Sequence, residues 1–261
     1  MRRAKIVGIW CMMTILCGAL LLAGIDKLRA SANQMKCRNN LRQIELAIAN
    51  YHDTFNRFPA GTVANPELPP DRRLSWMFEI DPFVHARMDP TWNRHSTEAW
   101  DSAGNLALQR GRMPWYECPP GTTNRQLEPL GNTNYVGAAG IGPDAAWLSK
   151  SDPSAGVFGY DRRISQSDLT DGVSYTILII ETLSEIGPWV AGGRPTVREL
   201  LPDSLPLIHR KGQFGGQHRG GVMAALADGS VRFICSSVER HEFEALFTIA
   251  GGESHASPWV D

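Results

Sequence analysis

Between Lys5 and Asp26 lie twenty residues without a charge, Ile6 to Ile25, in a chain that otherwise carries 26 basic and 27 acidic residues over 261 positions. A helix rises ~1.5 Å per residue, so the run is long enough to cross a hydrocarbon layer of roughly 30 Å once. Arg2, Arg3, Lys5 and the amino terminus precede it, whereas Lys27 and Arg29 follow and are partly offset by Asp26. The positive-inside rule therefore predicts a single-pass anchor in the inner (cytoplasmic) membrane, N-terminus inside, with everything after Ile25 exported. A cleaved signal peptide is the alternative, since Ala30-Ser31-Ala32 has the small-x-small form. The run, however, exceeds the about 7 to 15 residues of a signal-peptide core, which favours an anchor.

The helical pattern continues past the run. Leu41, Ile44, Ile48, Tyr51 and Phe55 recur at steps of three and four, placing one apolar stripe along a helix while Arg38, Arg42, Glu45 and Asn50 take other faces. No proline interrupts residues 1 to 58. The spacing predicts one continuous helix, half anchor and half packed on the exported part, reaching roughly 75 Å and ending at "NRFPAG". The expected organisation is an anchor over 1–32 and an extracytoplasmic domain over 33–261.

Beyond a proline-rich loop, "TVANPELPPDRR", two short helices are expected, "LSWMFEI" and "STEAWDSAGNLALQRG", the second capped by Ser96 or Thr97 and stopped by Gly111. From Met113 glycine becomes dense and strand-like runs appear: "NYVGAAG", "GVFGY", "SYTILIIET", "GVMAALA" and "SVRFIC". Turn residues separate them, which predicts a largely antiparallel sheet and an α+β fold class. Ser236 with Glu239 forms a capping box for a last helix, "SVERHEFEALFTIA", closed by Gly251.

A net charge of −1, with no basic run interleaved with aromatics, argues against a nucleic-acid partner. No nucleophile, metalloprotease or phosphate-loop motif is present, and the histidines at 52, 85, 95, 209, 218, 241 and 255 show no i, i+4 pairing. Neither catalysis, a cofactor nor a metal is therefore expected. Asp168, Asp171 and Asp228 read as turn formers, and no EF-hand spacing supports calcium. Trp76, Trp92, Trp100, Trp115, Trp147 and Trp189 are expected to serve as packing residues, with a sugar or peptide groove as the alternative.

Seven blocks carry a family resemblance: "CRNNLRQIELAIANYHDTFNRFPAG", "SWMFEIDPF", "WDSAGNLAL", "ECPPG", "NTNYVGAAG", "GVFGYDRRISQSDLTDGVSYTILIIET" and "FGGQHRGGVMAALADGSVRF". In this order they resemble a large bacterial pilin-like family that joins a prepilin-type N-terminal helix to a C-terminal domain marked by His, nine residues, Asp-Gly. The resemblance covers about Cys37 to Gly252. It implies a type IV pilin-like or pseudopilin-like architecture in the cell envelope, a structural or protein-secretion role, and identical or related pilin-like subunits as partners. An anchored binding module for sugar or peptide is the alternative function. The prepilin pattern departs at the membrane edge: Gly8 stands at the peptidase position, but Met13 replaces the glutamate that registers filament subunits.

Of the five cysteines, Cys11 and Cys17 fall in the apolar run. Cys37 and Cys118 lie in recognised blocks and are the expected pair if a disulfide forms, whereas Cys235 alternates with Val231 and Phe233 as a buried apolar residue would. The signature residues His218, Asp228 and Gly229 are expected to be structural. With Asp228-Gly229 as a two-residue turn, facing residues sum to 457: Leu226 meets Val231, Val222 meets Cys235, and His218 falls near Glu239 and the final helix cap. Ten extended steps span ~30 Å, so His218 and Asp228 are expected not to touch.

Overall fold

The computed structural model describes residues 2–84, 96–108, 113–119 and 131–252, and among the first 23 residues only the side chains of 16, 18, 21 and 22. Helix α1, Arg2–Phe55, is unbroken over 54 residues. It stops where Asn56 turns left-handed at φ 53° and donates its N–H to the His52 carbonyl at 2.7 Å, a conformation asparagine tolerates better than most residues. Cys37, Leu41, Ile44, Ala47, Ile48 and Tyr51 are buried along one face, at three- and four-residue steps. Phe55, expected to extend that stripe, stays 47% exposed, with its ring against those of Tyr51 and Phe83. Most side chains of the 6–25 run lie outside the described residues; among those described, no helix is long and apolar enough to cross a membrane.

Five strands form one sheet: β1 (Tyr135–Ile141), β2 (Ile177–Glu181), β3 (Val197–Leu200), β4 (Gly221–Leu226) and β5 (Val231–Cys235), in the order β3-β1-β2-β4-β5. Three of the four pairings are antiparallel, and β3 runs parallel to β1 with Gly137 opposite Val197, so the sheet is largely antiparallel with one parallel edge strand. The fold is α+β, the N-terminal helix packing on this sheet. Strand β3 carries Arg198 and Glu199 in four residues, which hides it from a search for apolar alternation. Both charges find partners near the edge: Glu199 pairs with Arg194, and Arg198 lies 3.7 Å from Glu185.

The sheet is buried on both faces. Met223 and Ala225 join Ile179, Leu41, Ile44 and Ile48 under α1, while Val222, Ala224 and Leu226 join Ile180, Phe214, Phe243 and Phe247 on the other side. Two covered faces explain why β2 and β4 read as continuous apolar runs, as strands buried on both sides do. The expected strand "GVFGY" is instead an extended segment whose Gly156 and Phe158 donate to the carbonyls of Ala139 and Ala138 beside β1. Of the final helix only α4, Arg240–Ala245, forms, and Ser236 makes no cap: its N–H donates to Gly220 at 2.8 Å and prolongs the β4–β5 pairing.

Helices α2 (Trp76–Val84) and α3 (Ala103–Leu108) complete the described α-helices. Ser96 and Thr97 do not start α3; Ser102 does, accepting the Asn105 N–H at 3.2 Å, and 109–112 lie outside the described residues. In α2, Asp81 is 3% exposed, and burial raises its carboxyl to about 7. A carboxyl raised on folding contributes its stability below the unfolded value near 4 and loses it as pH rises through 7. Asp81→Asn is therefore expected to gain on the parent as pH increases from 4 to 8, by up to about 1.4 kcal/mol per pH unit within that window. Denaturant midpoints of the two proteins across the range check this, and a constant offset contradicts it.

Candidate functional site

The end of β2 places a carboxylate where its neighbours are apolar. Glu181 is fully buried at the close of "ILIIE", and its Oε2 accepts the Met223 N–H from the adjacent β4 at 3.0 Å. That bond leaves Oε1, which has no hydrogen-bond partner, on the side facing His218, whose Nε2 lies 3.5 Å away. The His218 side chain is 5% exposed. Its Nε2 also lies 3.3 Å from Cys118 Sγ, and Cys118 is disulfide-bonded to Cys37 of α1, with Cα atoms 5.2 Å apart.

Each of these side chains is brought in by a different segment. Cys37 sits on the buried stripe of α1, and one turn on, Asn40 Nδ2 donates to the carbonyls of Pro114 and Glu117, fastening the 3-10 turn Pro114–Tyr116 that leads to Cys118 onto the helix. Cys118 donates its own N–H to Asn134 Oδ1 at 3.0 Å, just ahead of β1. Gly215 donates to the Glu181 carbonyl, which lays the "FGGQH" segment across the end of β2. A Cβ at Gly216 would collide with Glu181 Oε2, so glycine is needed there for the backbone to pass.

The resulting arrangement is a buried disulfide beside a histidine and a carboxylate, with one ligand atom each from Cys37, Cys118, Glu181 and His218 within 4.8 Å of one another. Sulfur, imidazole nitrogen and carboxylate oxygen are the donors that bind zinc. No nucleophile adjoins a base in an open cleft here, because every member is nearly sealed from solvent. Glu181 escaped the reading of the sequence. The signal that marks it is an acid within an apolar strand that is buried on both faces, a position where an unpaired charge is costly.

The second half of the signature is a turn. Asp228 Oδ1 accepts the Ser230 N–H at 2.9 Å, Gly229 takes φ +84°, and its N–H donates to Leu226. The loop has three residues, Ala227 to Gly229, a type I turn followed by a left-handed residue. Facing residues consequently sum to 456 rather than 457: Ala225 meets Val231, and Gly221 meets Cys235. The one-residue shift also changes which way Cys235 points, and it is partly exposed rather than core. Gly229 approaches α1 closely, since a Cβ there would lie 3.3 Å from the Glu45 carboxylate. Burial, and then Asp228, hold the Glu45 carboxyl above its ordinary range.

His218 does not reach the final helix cap near Glu239, as strand counting suggests. Gly220 at φ +84° turns the chain away before β4 begins, and His218 enters the Cys118–Glu181 cluster instead. Asp168 caps a 3-10 turn with Ser165 and pairs with Lys150. Asp171 lies in the turn that the Gly172 N–H closes onto the Leu169 carbonyl, and its carboxylate in addition accepts the N–H groups of Gly251 and Gly252, clamping the end of the segment after α4. Among the tryptophans, Trp76 and Trp189 are buried packing residues, Trp147 is 62% exposed, and Trp92 lies outside the described residues.

A family model described as "Protein of unknown function (DUF1559)" matches residues 26–200 and 190–241. No curated protein and no solved structure matches the chain.

Proposed function

Because this chain belongs to the family described as Protein of unknown function (DUF1559), whose model spans most of it, we propose that it is a membrane-anchored, pilin-like or pseudopilin-like structural or secretion-associated component of the cell envelope, without catalysis. The observation that carries the reading is the division of α1. From Cys37 to Tyr51 one face is buried against the domain, whereas Leu16, Leu21, Leu22, Leu28 and Met35 are exposed along the preceding turns. An apolar helix that its own domain leaves uncovered suits a bilayer below and neighbouring helices of like subunits beside it. That division supports a type IV pilin-like arrangement with residues 33–261 outside the cytoplasm, and the net charge of −1 supports a role without a nucleic-acid partner.

Protease added to intact spheroplasts is expected to digest the domain. Protection until lysis would overturn the topology. A Leu28→Cys variant should crosslink to a second copy in the membrane, and a strictly monomeric product would count against a filament or pseudopilus role. A binding module remains the second reading, favoured by Trp147 at the rim of a cleft of about 300 Å³ lined by Lys150, Asp161 and Arg163. A sugar- or peptide-dependent rise in melting temperature that Trp147→Ala abolishes would support it.

A further inference from the structure

We propose that Cys37, Cys118, Glu181 and His218 form, when the disulfide is open, a four-ligand site for Zn²⁺, so that bond and ion are alternative clamps of α1 onto the sheet. The donor set is S, S, N and O, which suits Zn²⁺ and not the all-oxygen sites of calcium or magnesium. Four protein ligands leave no open position, so the site is structural rather than catalytic.

The geometry is close to what the ion needs. Bonds of ~2.0–2.3 Å in a tetrahedron put donors ~3.3–3.8 Å apart. Cys118 Sγ and His218 Nε2 are 3.3 Å apart, Nε2 and Glu181 Oε1 are 3.5 Å apart, and no pair of donors exceeds 4.8 Å. Only the two sulfurs must move, separating by roughly 1.7 Å from the bonded distance. Glu181 Oε1 is fully buried without a hydrogen bond, while Oε2 is held by the Met223 N–H, which fixes the carboxylate with one free oxygen aimed into the cluster. Asn134 orients Cys118 from behind in the same way.

Opening the site takes two electrons and two protons. An external reductant, a dithiol protein or a phosphine, breaks the S–S bond to give two thiols, and Zn²⁺ then displaces both thiol protons to solvent as the two Zn–S bonds form. A newly made chain starts with its cysteines as thiols, so the site is available before oxidation.

The test uses the full chain in detergent with Cys11, Cys17 and Cys235 changed to serine, leaving only the proposed sulfurs. The protein is reduced with a phosphine in mild denaturant, returned to native buffer without oxygen, and titrated with Zn²⁺ against a chromophoric chelator, and separately with Co²⁺. The expected result is one Zn²⁺ per reduced chain and none per oxidised chain, with the visible spectrum of four-coordinate cobalt and a thiolate charge-transfer band. His218→Ala and Glu181→Gln, shown by near-UV circular dichroism to fold in the oxidised form, should each weaken zinc binding about 100-fold or more, at or beyond the loss from outer-shell changes. Equal uptake by the oxidised chain, no uptake by the reduced one, affinity indifferent to both substitutions, or a reduced chain that stays unfolded in excess zinc would each overturn the proposal.

Discussion

Cys118→Ser is expected to lower the unfolding free energy by about 4.5 kcal/mol, the largest loss from any single substitution considered for this chain. The bond closes a loop of 81 residues, and in the chain-entropy model the stabilisation grows with the logarithm of that length. The effect lies mainly in the unfolded state, which loses conformations when α1 and the segment before β1 are joined. Cys37→Ser should cost about the same, and the double variant little more, because both changes remove one link. Cys235→Ser should be nearly silent, since its sulfur is partly exposed and touches Ser237. Denaturant titrations of the full chain in detergent, with a chelator present to exclude metal, measure all four. A Cys118→Ser variant within about 1 kcal/mol of the parent would show that packing of the α1 stripe alone holds the helix.

His218→Ala should be the second largest, at about 4 kcal/mol, against about 1 kcal/mol for Asp228→Ala. The two residues share a motif but not an environment. Removing the imidazole leaves Glu181 fully buried, with the Met223 N–H as the hydrogen bond it keeps. Breaking one side of a buried pair costs more than the pair contributes, because the survivor is desolvated without compensation. Asp228 is exposed at a turn, where the alanine would lose its hydrogen bonds to Ser230 and Ser174 close to solvent. A double-mutant cycle should show strong coupling between positions 181 and 218 and none between 218 and 228. Equal costs at 218 and 228 would mean that the signature acts as one unit after all.

Much of this architecture is local enough to be legible along the chain. The charge-free run, the absence of proline before residue 59 and the stripe from Leu41 to Tyr51 are enough to specify one long helix and its packed face, because helical periodicity depends only on residues three and four apart. Asp228-Gly229 likewise specifies a turn through its own side-chain and backbone preferences.

Three decisions belong to the tertiary structure. The Asp-Gly loop holds three residues rather than two in the assembled hairpin, whose β4 strand also pairs with β2, and that one-residue difference reverses the outlook of Cys235. The parallel edge strand β3 forms by pairing with β1 although it carries Arg198 and Glu199, whose partners Glu185 and Arg194 lie outside the strand. The meeting of Cys37, Cys118, Glu181 and His218 joins four segments spread over most of the chain. No spacing rule links residues so far apart. They converge because α1, β1, β2 and β4 are packed against one another, and what each side chain meets is set by that packing and not by its neighbours in sequence.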